Sequence, residues 1–168
     1  MKKQLVKKTP IKKYVKPSWD EYFLKLTEAV GMRATCDRGR SGCVVVRDKR
    51  ILATGYVGAP AGLPHCDDVG HELHTVIEED GSKSMHCIRT AHAEQNAIVH
   101  AARVGVALEG GTLYCHMAPC YACAKMIINA GIKRVVCLKE YQSSSRSKDV
   151  FRVAKIKMVL ITREVEKY

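Results

Sequence analysis

Apolar and polar residues follow two rhythms along this chain. From Ser18 onward, Tyr22, Phe23, Leu26 and Val30 recur at helical spacing, and Ser18 with Glu21 three positions on forms a capping box that predicts the helix start. Residues 43–46 and 51–56 are strand-like runs joined by Arg47-Asp48-Lys49-Arg50, which predicts an antiparallel hairpin. Gly and Pro punctuate the chain after Gly58, and residues 65–90 follow neither rhythm; they read as an irregular insertion rich in His, Cys and acids. A helix is predicted over about 91–104, with Ile98, Ala101 and Ala102 buried and Gly105 as its stop. Strand 112–116, helix 120–130 ended by Gly131, strand 133–138, a helix near 149–154 and strand 155–161 follow. Ser143-Ser144-Ser145 reads as a mobile loop. Strands alternating with helices imply parallel pairing in this half, so the fold class is α/β.

Composition narrows the picture. A chain of 168 residues, 46% of them hydrophobic, suits one domain with a sizeable core, and no apolar run approaches the roughly 20 residues of a membrane span. The opening lysines lack a following apolar stretch, so no secretory signal is expected. Eight Cys then point to a reducing, cytoplasmic setting rather than a disulfide framework. The net charge is +11, but residues 1–16 hold seven Lys and no acid, leaving 11 − 7 = +4 for the rest. Residues 1–17 are therefore read as a basic, flexible tail and 18–168 as the single domain, with an inserted loop at about 60–90. The tail is either a solvated extension or an arm for a polyanion.

Chemistry concentrates in two short segments, His92-Ala93-Glu94 and Pro119-Cys120 with Cys123 three positions on. His92, Cys120 and Cys123 supply three zinc ligands, leaving a fourth coordination place open. Glu94 is a carboxylate that need not bind the metal. That inventory fits a catalytic zinc, which makes hydroxide available by lowering the pKa of its water to roughly 7, with Glu94 moving the protons. Each segment opens a predicted helix, where the dipole and free N–H groups favour thiolate. A lone Cys-x-x-Cys would equally suit a structural knuckle or a redox pair; the βαβ order of a thioredoxin-like pair is absent.

The insertion supplies a second set. Cys36, Cys66, His71, His74, His86 and Cys87 remain, and four of them could close a tetrahedral structural zinc site; Cys36, Cys66, His71 and Cys87 are preferred, with His86 as the substitute. Cys43, Cys115 and Cys137 alternate with strand hydrophobics and read as small core residues.

His-x-Glu followed by Pro-Cys-x-x-Cys resembles the signature of zinc nucleobase deaminases. The segments 18–23, 33–36, 55–60, 65–67, 87–98 and 119–131 extend the resemblance across residues 18–162. They liken the chain to the deoxycytidylate (dCMP) deaminase family of the cytidine/deoxycytidylate deaminase superfamily, in particular its phage and late-competence-type branch. The resemblance implies a three-layer α-β-α fold with a mixed five-stranded sheet, an antiparallel hairpin plus parallel strands. It implies hydrolysis of dCMP to dUMP and ammonia in pyrimidine nucleotide metabolism. It further implies a second, structural Zn²⁺, and a homo-oligomer, usually a hexamer, activated by dCTP and inhibited by dTTP with Mg²⁺.

Some residue roles come with that likeness. Val57 stands where the family has an Asn that contacts the nucleotide, and an isopropyl group offers no hydrogen bond. Val57, Ala93, Tyr121 and Tyr141 are candidate substrate contacts, Arg38 and Arg40 candidate phosphate contacts, and Arg103 a candidate effector residue. Two alternatives remain open. A tRNA adenosine deaminase would use the lysine tail on RNA, but the 65–90 insertion belongs to the nucleotide branch, so nucleic acid is not the expected partner. A non-catalytic zinc protein would have no use for Glu94.

Overall fold

The computed structural model describes residues 14–78 and 81–166. Most of the lysine tail lies outside the described residues.

Helix α1 (Trp19–Gly31) starts at the capping box: Ser18 N donates to Glu21 Oε2 at 2.7 Å and Glu21 N to Ser18 Oγ at 3.2 Å. Its buried face is Phe23, Leu24, Thr27 and Gly31; of the expected stripe Phe23 is buried, Leu26 and Val30 are half-buried against the same core, and Tyr22 is exposed. Close approach explains the burial of Thr27 and Gly31, because a Cβ on Gly42 would lie 2.4 Å from the Thr27 carbonyl oxygen and 2.5 Å from the Gly31 nitrogen. Small residues must occupy that crossing, and the aromatics fan out beside it, with Trp19 stacked on Phe23.

Strands β1 (Gly42–Arg47) and β2 (Arg50–Tyr56) form the expected hairpin. Its turn residues Asp48 and Lys49 both have positive φ, the conformation that matches hairpin twist. After the 65–90 insertion come α3 (Ala93–Val104), β5 (Thr112–Met117), α4 (Tyr121–Asn129), β6 (Arg134–Tyr141), α5 (Ser145–Val153) and β7 (Lys157–Leu160). The sheet runs β2-β1-β5-β6-β7; β1 pairs antiparallel with both β2 and β5, whereas β5, β6 and β7 are parallel. A two-residue strand, β8 (Val165–Glu166), adds to the end of β6 beyond β7. The mixed five-stranded sheet is thus present with one short addition.

Alternation sorts the sheet's side chains into two cores. Val44, Val46, Tyr114 and Val136 meet Phe23 and Leu24 of α1 on one face. Cys43, Val45, Leu113, Cys115, Val135 and Cys137 pack against α3, α4 and α5 on the other. Cys43, Cys115 and Cys137 sit side by side across three strands, each at most 1% exposed, as small core residues.

Three local expectations are corrected. Residues 65–90 are not irregular throughout: a single helical turn, α2 (Cys66–Val69), precedes an antiparallel ribbon of β3 (Leu73–Ile77) and β4 (Lys83–Cys87) that is separate from the main sheet. Ala102 is exposed, because α3 buries the four-residue repeat Ala93, Ala97 and Ala101 and Ala102 lies about 100° round from it. Ser144 is fully buried, Ser145 begins α5, and Ser143 Oγ donates to Glu78, so the serine run is a packed junction.

Candidate active site

Two helix starts meet. His92 is the N-cap of α3 and Cys120 the N-cap of α4, each one position before its helix, and Cys123 lies in the first turn of α4. His92 is aligned by its own backbone, whose N–H donates to Gln95 Oε1 at 2.8 Å. Upstream, Gly58 and Ala91 exchange backbone hydrogen bonds at 3.0 and 3.2 Å, and Asn96 Nδ2 donates to the Tyr56 carbonyl at 2.8 Å. The 55–60 loop therefore clamps the start of α3. Gly55 makes the clamp possible: a Cβ there would fall 2.1 Å from the Ala93 carbonyl oxygen.

His92 Nδ1 lies 3.5 Å from Cys120 Sγ and 3.4 Å from Cys123 Sγ. Zn–S and Zn–N bonds of about 2.3 and 2.0 Å at tetrahedral angles would separate donors by roughly 3.5–3.8 Å, so the three atoms fit a zinc ion. Glu94 is 8% exposed, with Oε2 3.6 Å from Cys123 Sγ.

The three donors differ in proton affinity. Side-chain hydrogen bonding with Cys123 and with the adjacent His92 lowers the Cys120 pKa to about 4. Cys123 rises correspondingly, since it serves that thiolate and is buried. His92 is raised to about 9 by its hydrogen bond to Cys120, and burial pushes Glu94 above the usual carboxylate range.

A second group, Cys36, Cys66, His71 and Cys87, has its donor atoms within 4.8 Å of one another. Cys36 Sγ is 3.6 Å from His71 Nδ1, and Cys66 Sγ is 3.5 Å from Cys87 Sγ. His71 Nε2 faces Asp37 Oδ1 at 3.0 Å, the carboxylate–imidazole pairing that orients zinc-bound histidines. Burial and the neighbouring Cys87 push Cys66 up to about 12. Burial also pulls at Cys87, but hydrogen bonds from the Arg89 and Glu72 backbone outweigh it and hold Cys87 at about 7. Three sulfurs and one nitrogen make a closed structural set. His86 is not part of it: adjacent strand residues point to opposite faces, and His86 instead meets Glu78 at 3.1 Å.

A cleft opens over the first group, walled by Val57, Ala93, Glu94, Tyr141, Arg38 and His86. Arg38 Nη2 donates to the Met85 carbonyl at 2.6 Å. The other expected contacts lie elsewhere. Arg40 pairs with Asp67 at 3.0 Å and donates to the Ala34 carbonyl. Tyr121 does not line the cleft; its ring is flanked by Lys125 Nζ at 4.8 Å and the Arg146 guanidinium at 4.3 Å. Arg103 is exposed near the end of α3. His86 as a cleft wall was missed in the sequence because it sits beside a Cys and reads as a ligand.

The family described as cytidine and deoxycytidylate deaminase zinc-binding region matches residues 17–139. The chain belongs to that family. Among the relatives of this deaminase-family chain, ComE operon protein 2 of Bacillus subtilis is 39% identical over 137 residues, covering 82% of this chain and 68% of the relative. The deoxycytidylate deaminase of Mycobacterium phage D29 is 41% identical over 128 residues, covering 74% and 98%. A crystal structure of the dCMP deaminase from cyanophage S-TIM5, in complex with dCMP and dUMP, superposes with a TM-score of 0.69 at 32% identity, covering 88% of this chain and 99% of that one. The three-layer mixed-sheet fold is that of the S-TIM5 dCMP deaminase.

Proposed function

We propose that this deaminase-family chain hydrolyses dCMP to dUMP and ammonia, as a zinc enzyme supplying deoxyuridylate. The observation that carries the reading is one buried carboxylate, Glu94, beside three donors spaced for zinc at the floor of a cleft. His92, Cys120 and Cys123 would hold the metal. Bound zinc supplies Lewis acidity, which brings water toward hydroxide character near neutral pH. Glu94 takes a proton from the attacking water and delivers it to ring N3. Glu94 then takes the remaining proton from the new C4 hydroxyl and passes it to the exocyclic amine, so that the C4 carbonyl forms as the C–N bond breaks and ammonia leaves. Its raised pKa suits a group that must hold that proton between steps.

The cleft walls would select the substrate. Val57, Ala93 and Tyr141 border the base and sugar, and Arg38 stands at the wall to meet phosphate. Val57 removes a polar contact of the kind worth about 1–3 kcal/mol, so affinity for dCMP rests on the remaining walls. Cys36, Cys66, His71 and Cys87 would hold a second zinc that ties the insertion to the domain. Tyr121, flanked by two cations, would border the cleft only from outside, and Arg40 and Arg103 would act on effector binding. Family membership supports a homo-oligomer, a hexamer by likeness, regulated by dCTP and dTTP with Mg²⁺. Among the described residues no helix is long and apolar enough to cross a membrane, and we place the reaction in the cytoplasm.

The test is ammonia release by the zinc-loaded protein from dCMP, CMP, dCTP, deoxycytidine and adenosine-containing RNA. Preference for dCMP is expected. Absence of turnover on any cytosine nucleotide would end this reading, and turnover of the RNA alone would favour the tRNA-type alternative.

A further inference from the structure

Glu78 directly follows β3 and opens the acidic run Glu78-Glu79-Asp80, yet its side chain is only 11% exposed. Four donors close on its carboxylate. Ser84 Oγ and His86 Nε2, the latter at 3.1 Å, come from β4 of the same ribbon. Gln142 Nε2 at 3.5 Å and Ser143 Oγ come from the turn after β6, 64 and 65 residues away. Burial pushes this carboxyl up, and the hydrogen bonds from Ser143, Ser84 and His86 outweigh burial and keep it ionised.

The position matters because both segments it joins contribute to the wall of one cleft. His86 belongs to the ribbon, Tyr141 ends β6 beside Gln142 and Ser143, and both line the cleft above Glu94. The ribbon shares no strand pairing with the main sheet among the described residues. Its hold on the β6 side is therefore a side-chain matter, and Glu78 is the side chain that accepts from both sides.

We propose that Glu78 is a positioning residue: it latches the β3–β4 ribbon to the turn after Tyr141 and thereby holds His86 in the cleft wall, setting substrate affinity without taking part in the chemistry. The proposal rests on the dCMP reading for its kinetic test, and on the latch alone for its structural test.

Both tests use the full-length, zinc-loaded protein. Glu78→Gln leaves one acceptor oxygen for four donors, and Ser143→Ala removes one donor from the β6 side only. For Glu78→Gln we expect KM for dCMP to rise about five- to tenfold while kcat stays within about twofold. Zinc content should be unchanged, and amide hydrogen exchange should quicken in residues 83–87 and 142–146. Ser143→Ala should move the same quantities less, and it carries the test alone where Glu78→Gln does not fold. An unchanged KM in the folded variants overturns the proposal, as does a fall in kcat with KM constant. A wild-type protein inactive on dCMP refutes the dCMP reading instead. The latch is then judged by exchange, and unaltered exchange in the variants overturns it.

Discussion

Asp20 and Arg134 lie 114 residues apart and form a two-pronged ion pair, Arg134 Nη1 to Asp20 Oδ1 at 2.7 Å and Nη2 to Oδ2 at 2.6 Å. Tyr114 adds its hydroxyl to Oδ1 at 2.9 Å. The first turn of α1 is thus pinned to the start of β6 across the face that α1 covers. The Arg134 hydrogen bonds, with help from Tyr114, hold Asp20 below the ordinary carboxylate pKa of 3.8. A depressed folded-state pKa contributes stability that is present above the unfolded value and is lost as pH falls through the folded one. Asp20→Asn should cost about 1–2 kcal/mol at pH 7. At ~2–4 °C per kcal/mol that is a drop of several degrees in Tm. In urea titrations the gap between variant and wild type should shrink below pH 4; a gap as large at pH 3 as at pH 7 would show that packing, not charge, is responsible.

Gly55 sets the distance between β2 and α3. The Ala93 carbonyl oxygen and the Ala97 nitrogen, at 2.1 and 2.5 Å from a built Cβ, are both backbone atoms and cannot swing away. Gly55→Ala must push α3 outward, and α3 carries His92 and Glu94. We expect a loss of about 1–3 kcal/mol from overpacking, with weakened zinc retention on dialysis. Unaltered Tm and zinc content would mean that the helix start adjusts without cost.

The helices that present His92 and Cys120 were legible in the sequence because each opens an apolar repeat and ends at a glycine. The donor spacing of the first cluster follows from two local motifs meeting. Cys36, Cys66, His71 and Cys87 could be grouped because they stand in segments with no core pattern to explain them. The β3–β4 ribbon was not legible: no residue of Leu73 to Ile77 or Lys83 to Cys87 is fully buried, so no buried face imposes alternation. Glu78 was illegible for a related reason. An acid in an acidic run reads as solvated, and half of the donors that close on it come from 64 and 65 residues away.

Glu94 is the buried carboxylate nearest the three donors, and its substitution separates metal binding from proton transfer. Glu94→Gln keeps size and shape but cannot accept and return a proton. Zinc content should match wild type, and kcat on dCMP should fall by about 10²–10⁴-fold. Metal analysis and turnover on the same preparation check both halves. A variant retaining a tenth of the wild-type rate would assign the proton to another group.

Asp37 offers the corresponding separation at the second cluster. It contributes no donor to the group of four, and its carboxylate meets the group at His71 Nε2. A carboxylate in that position fixes the ring so that Nδ1 faces the three sulfurs, and loss of such a partner typically weakens metal affinity by about 10–100-fold. Wild-type protein should carry two zinc ions per chain. Asp37→Ala should carry two at saturation but release one faster to a chelator, whereas Cys36→Ser should hold one. Zinc supports the folded state only while bound, so Tm of Asp37→Ala should depend on added zinc more steeply than wild type. Release of both ions together would mean that the clusters are not independent. A single ion in wild-type protein would reduce the second cluster to four buried or part-buried side chains.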